Sequence, residues 1–200
     1  MRILMIITIL TTMLIAGANG QKGDLKETAS KSLLTFRSLV NQQNYSSMGF
    51  KSAEEIKDAT LGDPFKIYTI RLDDLKRYKE GNNPDSLLTD NENYIFPVKV
   101  KNEVRSSINI SKVDNTWKAI SFGSNGTIKL FSRYRTDNSF VVNIPALNLF
   151  FIGNREDGKL MLTPVIEDEI HQFAAGKMLP AEDVLMRILP DAKEHDDLPR

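Results

Sequence analysis

The middle of the chain is a run of five β-patterned segments whose connections are too short to hold a helix. The segments cover residues 94–100, 104–113, 117–122, 127–135 and 140–151. Turn-forming pairs separate them, including Asp114-Asn115 and the strong hairpin signal Asn125-Gly126. A parallel crossover needs about a dozen residues. The short connections therefore predict antiparallel neighbours and disfavour a doubly wound parallel sheet.

Helical patterns flank this block of strands. Before it, apolar residues recur at three- and four-residue spacing, which is typical of a long helix with one buried face. They are Leu25, Ala29, Leu33, Phe36 and Val40. After it, the pattern predicts a strand over 159–166, a short helix over 167–175 and a last helix over 180–189. We therefore predict the α+β class, with an antiparallel β-meander sheet packed on one face against the N-terminal long helix and the C-terminal helix.

The first twenty residues have the form of a secretory signal peptide. Arg2 precedes an almost unbroken apolar run over residues 3–16, and Ala18 and Gly20 supply the small residues that signal cleavage requires. The run is shorter than the roughly 20 residues that cross a bilayer. We expect export to the periplasm or the extracellular space, with no stable membrane insertion after leader removal. One domain is then expected over residues 21–192, followed by a polar tail over 193–200.

Cysteine and net charge exclude several classes of function. The chain has no cysteine and two histidines, so thiolate zinc sites, cysteine nucleophiles and disulfide frameworks are excluded. An exported chain without disulfides also favours a bacterial host. Lys plus Arg equals Asp plus Glu at 26 each. Because no net positive charge attracts phosphates, we expect no nucleic-acid partner.

The main candidate binding surface lies on the predicted strand over 127–135. Alternation along a strand would place four side chains on one face, namely Lys129, Phe131, Arg133 and Arg135. Arginine binds carboxylates through paired hydrogen bonds, and phenylalanine adds apolar contact area. The pattern predicts a non-catalytic binding module that holds an acidic protein, a peptide or a small anionic ligand on a basic sheet face. The alternative is a solvated outer face of the sheet.

Three residues in the C-terminal part of the chain are candidates for an enzymatic site. If 167–175 is helical, Glu167 and His171 lie one turn apart and can hold one metal ion, with Asp168 beside them. Acidic residues at a helix start also offset the helix dipole, so a purely structural role is the alternative. His195 lies in the polar tail and is a poor catalytic candidate. Since the sequence has no serine elbow, phosphate loop or paired-histidine zinc motif, we expect no cofactor and no metal. A metal-assisted hydrolase using Glu167, Asp168 and His171 is kept as the alternative function.

Overall fold

The computed structural model of the chain describes residues 17–123 and 125–195. The side chains of residues 17–23 and of Asn125 fall outside that description. Most of the predicted signal peptide, residues 1–16, therefore lies outside the described residues. The same holds for residues 196–200 of the predicted tail and for Ser124, beside the predicted Asn125-Gly126 hairpin.

Four α-helices and nine strands build the described part of the chain. The helices are α1 (Gly17–Leu39), α2 (Leu72–Lys76), α3 (Asn125–Arg133) and α4 (Ala181–Glu194). The strands are β1 (Thr60–Leu61), β2 (Phe65–Thr69), β3 (Thr89–Val100), β4 (Glu103–Val113), β5 (Thr116–Phe122), β6 (Phe140–Ile144), β7 (Leu149–Glu156), β8 (Lys159–Pro164) and β9 (Leu179–Pro180). Short 3-10 helices occupy Ala53–Asp58, Pro84–Leu87 and Pro145–Leu147. None of the described helices is long and apolar enough to cross a membrane.

The nine described strands form one open sheet in the order β5-β4-β3-β2-β6-β7-β8-β9, with β1 beside β3. Its neighbours are antiparallel, except that β2 and β6 run parallel, with Ile67 opposite Val141. Between β2 and β6 the chain passes through β3, β4, β5 and α3, which is ample length for a parallel connection. The predicted α+β class and the mainly antiparallel sheet are thus confirmed.

The long strand β3 contains a proline without losing pairing. Pro97 lies opposite the gap between β1 and β2, where no neighbouring strand requires a backbone N–H. Its carbonyl oxygen still accepts a hydrogen bond from the Gly62 amide at 2.8 Å. The turn into β4 follows at Lys101 and Asn102, whose φ angles of 49° and 67° are left-handed. β3 and β4 therefore pair along most of their length.

Three clusters of buried apolar side chains hold the helices to the sheet. The α1 cluster joins α1 to β3 and β4, and Phe36 contacts both Phe50 and Phe122 within it. The α4 cluster joins α2 and α4 to β6, β7 and β8. The α3 cluster joins Ile128 and Phe131 of α3 to side chains of β2, β3, β6 and β7. α1 and α3 are thus each fixed by a separate set of core residues, whereas α2 and α4 share one.

The strand predicted over 127–135 is wrong, because α3 spans Asn125–Arg133. Ile128 and Phe131 are both buried, and a spacing of three residues brings two side chains to the same side of a helix. On a strand they would point to opposite faces. The Asn125-Gly126 pair therefore begins a helix instead of closing a hairpin.

The helix predicted over 167–175 is also wrong. This segment is a series of turns closed by a bridge between Asp168 and Phe173, whose backbone groups exchange hydrogen bonds of 3.0 and 2.8 Å. His171 and Phe173 are both buried while Gln172 between them is exposed and has a left-handed φ of 57°. A helix cannot bury residues two apart in this way, because they face different sides.

Two predicted boundaries also differ from the structure. The strand predicted over 140–151 is two strands, β6 and β7, since Pro145 begins a 3-10 helix and Asn148 turns the chain with a left-handed φ of 53°. Proline has no N–H for a ladder and favours such a break. Helix α4 continues to Glu194, five residues beyond the end of the helix predicted over 180–189.

Candidate functional site

A cleft of about 1020 Å³ lies beyond the end of β6, and both histidines of the chain line it. We call it the histidine cleft. Its lining residues are Leu72, Pro145, Ala146, Leu147, Asn148, Leu149, Ile166, Glu167, Asp168, Glu169, Ile170, His171, Asp191 and His195. Four of these carry carboxylates and none is lysine or arginine. The lining is therefore apolar and acidic.

His171 and Asp168 form a hydrogen-bonded pair in this cleft. His171 Nδ1 lies 2.6 Å from Asp168 Oδ2, and the His171 backbone N–H donates to Asp168 Oδ1 at 3.1 Å. Burial alone would raise the pKa of Asp168, but the hydrogen bonds from the His171 ring and backbone outweigh it and lower this pKa. Asp168 is thus a carboxylate at neutral pH and fixes the orientation of the imidazole ring.

The other ring nitrogen of His171 has no hydrogen-bond partner within residues 17–123 and 125–195. Nε2 is a buried atom, and Asp191 Oδ2 on α4 lies 3.6 Å from it, beyond hydrogen-bond distance. The Nδ1 atom of His195 is likewise buried, with no partner among the residues that the structure describes. The backbone carbonyl of His195 accepts a hydrogen bond of 3.0 Å from Lys76 Nζ. His195, a poor candidate by sequence, thus belongs to the same cleft as His171.

The structure does not place Glu167 and His171 one helical turn apart, as the sequence predicted. Glu167 Oε2 accepts a hydrogen bond from the Ala175 amide at 2.9 Å, and the helical turn that would align it with His171 is absent. Within residues 17–123 and 125–195, no three His, Asp or Glu side chains are placed to hold a metal ion. The geometric basis for a helical Glu167, Asp168 and His171 metal site is therefore missing.

A second cleft, of about 700 Å³, lies at the other end of β6. We call it the basic groove. Its lining residues are Asp63, Pro64, Lys66, Tyr68, Tyr94, Arg135, Thr136, Asp137, Asn138, Ser139, Phe140 and Arg155. Three of them are cationic, and all three have an aromatic ring close to the charged group.

Lys66 lies between two phenol rings of the groove. Its Nζ is 5.1 Å from the ring centre of Tyr68 and 5.9 Å from that of Tyr94, and it donates a hydrogen bond to Asp90. Burial by itself lowers the pKa of Lys66, but the bond to Asp90 and the neighbouring phenols outweigh it and raise this pKa. Lys66 therefore stays charged at neutral pH.

Both arginines of the groove are held in place by hydrogen bonds. Arg135 donates to the carbonyl oxygens of Asp63 and Pro64 at 2.6 and 2.9 Å, with its guanidinium carbon 4.1 Å from the ring centre of Phe65. Burial lowers the pKa of Arg135, although an arginine side chain remains charged in proteins. Arg155 donates to Asp85, and its guanidinium carbon lies 5.3 Å from the ring centre of Phe140.

The four residues of the predicted basic stripe do not share a surface. Phe131 is only 2% exposed and packs 6.1 Å from the ring centre of Phe65, whereas Lys129 and Arg133 are exposed on α3. Arg135 follows the helix and lines the basic groove. The helical fold of this segment separates side chains that strand alternation would have aligned.

Sequence reasoning missed most of the residues of the basic groove. Lys66 and Tyr68 occupy alternate positions of one strand, which is the signal that could have placed them on one face. Tyr94 joins them because it pairs with Lys66 across β2 and β3. Arg155 comes from β7, far along the chain, and no local pattern connects it to the others.

Comparisons of the chain with protein-family models, curated proteins and solved structures find no match. The two clefts are therefore interpreted from their own geometry.

The Asp168–His171 pair predicts a contribution to acid stability. Because the pKa of Asp168 is lower in the folded chain than its ordinary value of 3.8, the pair stabilises the fold fully above that value. This stabilisation is lost as the pH falls from 3.8 through the folded-state pKa. We expect Asp168→Asn to lower the free energy of unfolding at neutral pH and to reduce the acid dependence of stability, measured by urea unfolding at several pH values. Unchanged acid dependence in this variant would contradict the assignment.

Proposed function

We propose that the protein is an exported, non-catalytic binding module that holds an anionic group, such as a carboxylate of an acidic peptide, in the basic groove. The observation that carries the proposal is the set of three cations, Lys66, Arg135 and Arg155, lining one groove beside aromatic rings. The export part rests on the signal-peptide pattern of residues 1–20.

Strand alternation supports a groove on the sheet face between two helices. Lys66 and Tyr68 share a face of β2, and Tyr68 pairs with Val142, a residue of the α4 cluster. On β3, Tyr94 pairs with Lys66 and shares its face with Phe96 of the α1 cluster. We infer that α1 and α4 cover two parts of the same face, as the sequence pattern predicts. The basic groove then occupies the strip of sheet between them.

Two cations of the groove are already held in place by carboxylates that do not line it. The partners of Lys66 and Arg155 are Asp90 and Asp85, and neither of these aspartates lines the groove. Arginine and lysine bind carboxylates through charge-assisted hydrogen bonds, and prior ordering reduces the entropy lost on binding. The three cations are accompanied by four carboxylates, from the lining residues Asp63 and Asp137 and from the partners Asp85 and Asp90, so the groove has no net positive charge. Binding therefore depends on local contacts more than on long-range attraction.

A metal-assisted hydrolase at Glu167, Asp168 and His171 is the alternative function. The observation in its favour is the Asp168–His171 hydrogen bond, which orients an imidazole as in acid–base catalysis. Such an enzyme would use a metal-activated water as its nucleophile, and within residues 17–123 and 125–195 no three His, Asp or Glu side chains are placed to hold the ion. A stoichiometric transition metal in the purified protein, lost in His171→Ala, would favour the hydrolase.

The binding proposal predicts a large loss of affinity when two groove cations are removed. Calorimetric titration with acetyl-hexaglutamate amide at low salt measures the dissociation constant of wild type and of the double variant Lys66→Ser with Arg155→Ser. We expect the affinity to fall at least about tenfold, because two charge-assisted hydrogen bonds are lost.

The double variant Lys129→Ser with Arg133→Ser is the matched control. It removes the same charge from exposed positions of α3 outside the groove, so its affinity should stay within about threefold of wild type. Equal losses in both double variants would show general charge attraction and contradict a groove site. The absence of binding to wild type would reject the proposal outright.

A further inference from the structure

We propose that the histidine cleft is a separate site for an organic ammonium group. The ammonium N–H groups donate to His171 Nε2 and Asp191 Oδ2, and the alkyl portion of the ligand contacts Ile166 and Ile170. This site is independent of the basic groove, because the two clefts share no lining residue.

The hydrogen bonds from His171 to Asp168 leave Nε2 as an acceptor in the neutral ring. Asp168 accepts hydrogen bonds from the His171 backbone N–H at 3.1 Å and from the ring at 2.6 Å. A carboxylate has no hydrogen to donate, so we assign the ring hydrogen of neutral His171 to Nδ1. Nε2 then carries a lone pair and lacks a donor partner. His171 is 8% exposed and lines the cleft, so a donor seated in the cleft would supply the partner that Nε2 lacks.

A second acceptor lies beside the first. Asp191 Oδ2 is 3.6 Å from His171 Nε2, and neither atom can donate to the other when the ring is neutral. An ammonium nitrogen has several N–H groups and can bridge two acceptors at this spacing with charge-assisted hydrogen bonds. A carboxylate or phosphate ligand would instead add a third acceptor to the pair. The geometry therefore selects a cationic donor.

The remaining cleft lining suits a cation with an apolar part. Glu167, Asp168 and Glu169 add negative charge, and none of the described lining residues is a lysine or arginine that would oppose a cation. Ile170 is 85% exposed and Ile166 is 47% exposed at this cleft, so both leave apolar surface in contact with water. An alkyl chain that covers Ile170 and Ile166 would remove apolar surface from water and contribute to binding.

A bare metal ion fits this site less well than an ammonium group. His171 Nε2 and Asp191 Oδ2 would supply two ligands, whereas zinc sites use three or four protein ligands. The neighbouring Glu167 carboxylate is engaged by the Ala175 amide. His195 Nδ1 is not part of any three-residue metal cluster within the described chain.

The test is a titration of the full-length protein at about pH 8, where an alkylammonium ligand is charged. The probe is n-hexylammonium chloride, and the comparison ligand is hexyltrimethylammonium, which has the same charge and no N–H group. We expect wild type to bind hexylammonium at least about tenfold more tightly than the trimethyl compound. Asp191→Asn is expected to reduce hexylammonium affinity about tenfold.

Asp191 is exposed, so its replacement should not prevent folding. The matched control is Glu169→Gln, which removes one charge from the same cleft without touching the acceptor pair. It should change hexylammonium affinity less than about threefold. Equal effects of the two substitutions, or equal affinity for the trimethyl compound, would overturn the proposal. Zinc binding by wild type without hexylammonium binding would also overturn it.

A further titration distinguishes two sources of the ammonium group. The probe acetyl-lysine methylamide presents the ammonium group of a protein side chain, whereas hexylammonium stands for a free amine. Tighter binding of the lysine amide would support a peptide ligand. Tighter binding of hexylammonium would support a small amine as the ligand. If neither probe binds, the ammonium site is rejected, and this result does not bear on the basic groove.

Discussion

Phe36→Ala is expected to lower the free energy of unfolding by about 3–5 kcal/mol. Phe36 is 0% exposed, with its ring centre 5.3 Å from that of Phe122 and 5.9 Å from that of Phe50. Truncation removes these ring contacts and leaves a cavity between α1 and the sheet. Urea unfolding of wild type and variant measures the difference.

Leu34→Ala on the same helix is the control. Leu34 is 63% exposed, so its truncation should change stability by less than about 0.5 kcal/mol. If Phe36→Ala were as mild as this control, α1 would not be packed on the sheet as described. The comparison isolates packing, because both substitutions leave alanine at a helical position.

Phe131→Ala is also expected to lower the free energy of unfolding by about 3–5 kcal/mol, in this case by removing packing under α3. Phe131 is the aromatic centre of the α3 cluster and lies 6.1 Å from the Phe65 ring and 5.8 Å from the Phe150 ring. Lys129→Ala should cost less than about 0.5 kcal/mol, since Lys129 is exposed on α3.

These two substitutions also test the helix against the strand predicted from sequence. On a strand, Lys129 and Phe131 would share one face and have similar exposure. Thermal or urea unfolding of both variants shows whether the two side chains contribute equally to stability. Similar small losses would favour a solvated strand face, whereas the helix requires a large loss only at Phe131.

The class of the fold could be predicted from the sequence because its signals are local. The short turns between residues 94 and 122 dictate antiparallel neighbours, and β3, β4 and β5 follow one another as expected. The spacing from Leu25 to Val40 predicted the long first helix. In these segments, local periodicity and tertiary burial agree.

Local signals failed where two periodicities competed. In residues 127–135, the basic residues fall at odd positions, as on one face of a strand. Ile128 and Phe131 have helical spacing instead, and their burial in the α3 cluster decides for the helix. Residues 167–175 have acidic residues that resemble a helix start. There, the backbone bridge between Asp168 and Phe173 and the burial of His171 stabilise turns instead.

The two clefts could not be predicted because their residues meet only through the sheet. Tyr94 reaches Lys66 through strand register, and a shift of one residue would place it on the opposite face. His195 joins His171 because α4 continues through Asp191 to Glu194 beside the 166–171 segment. Neither relation has a sequence motif.

The most direct test of the proposed binding function is a nuclear magnetic resonance titration of isotope-labelled protein with acetyl-hexaglutamate amide. The account predicts that amide shifts concentrate on the basic groove, at Lys66, Tyr94, Ser139 and Arg155, while Lys129 on α3 stays unchanged. Saturation should follow a single dissociation constant that weakens in the Lys66→Ser, Arg155→Ser double variant. Shifts concentrated on the exposed face of α3, or spread evenly over the surface, would contradict the proposal that the groove is the binding site.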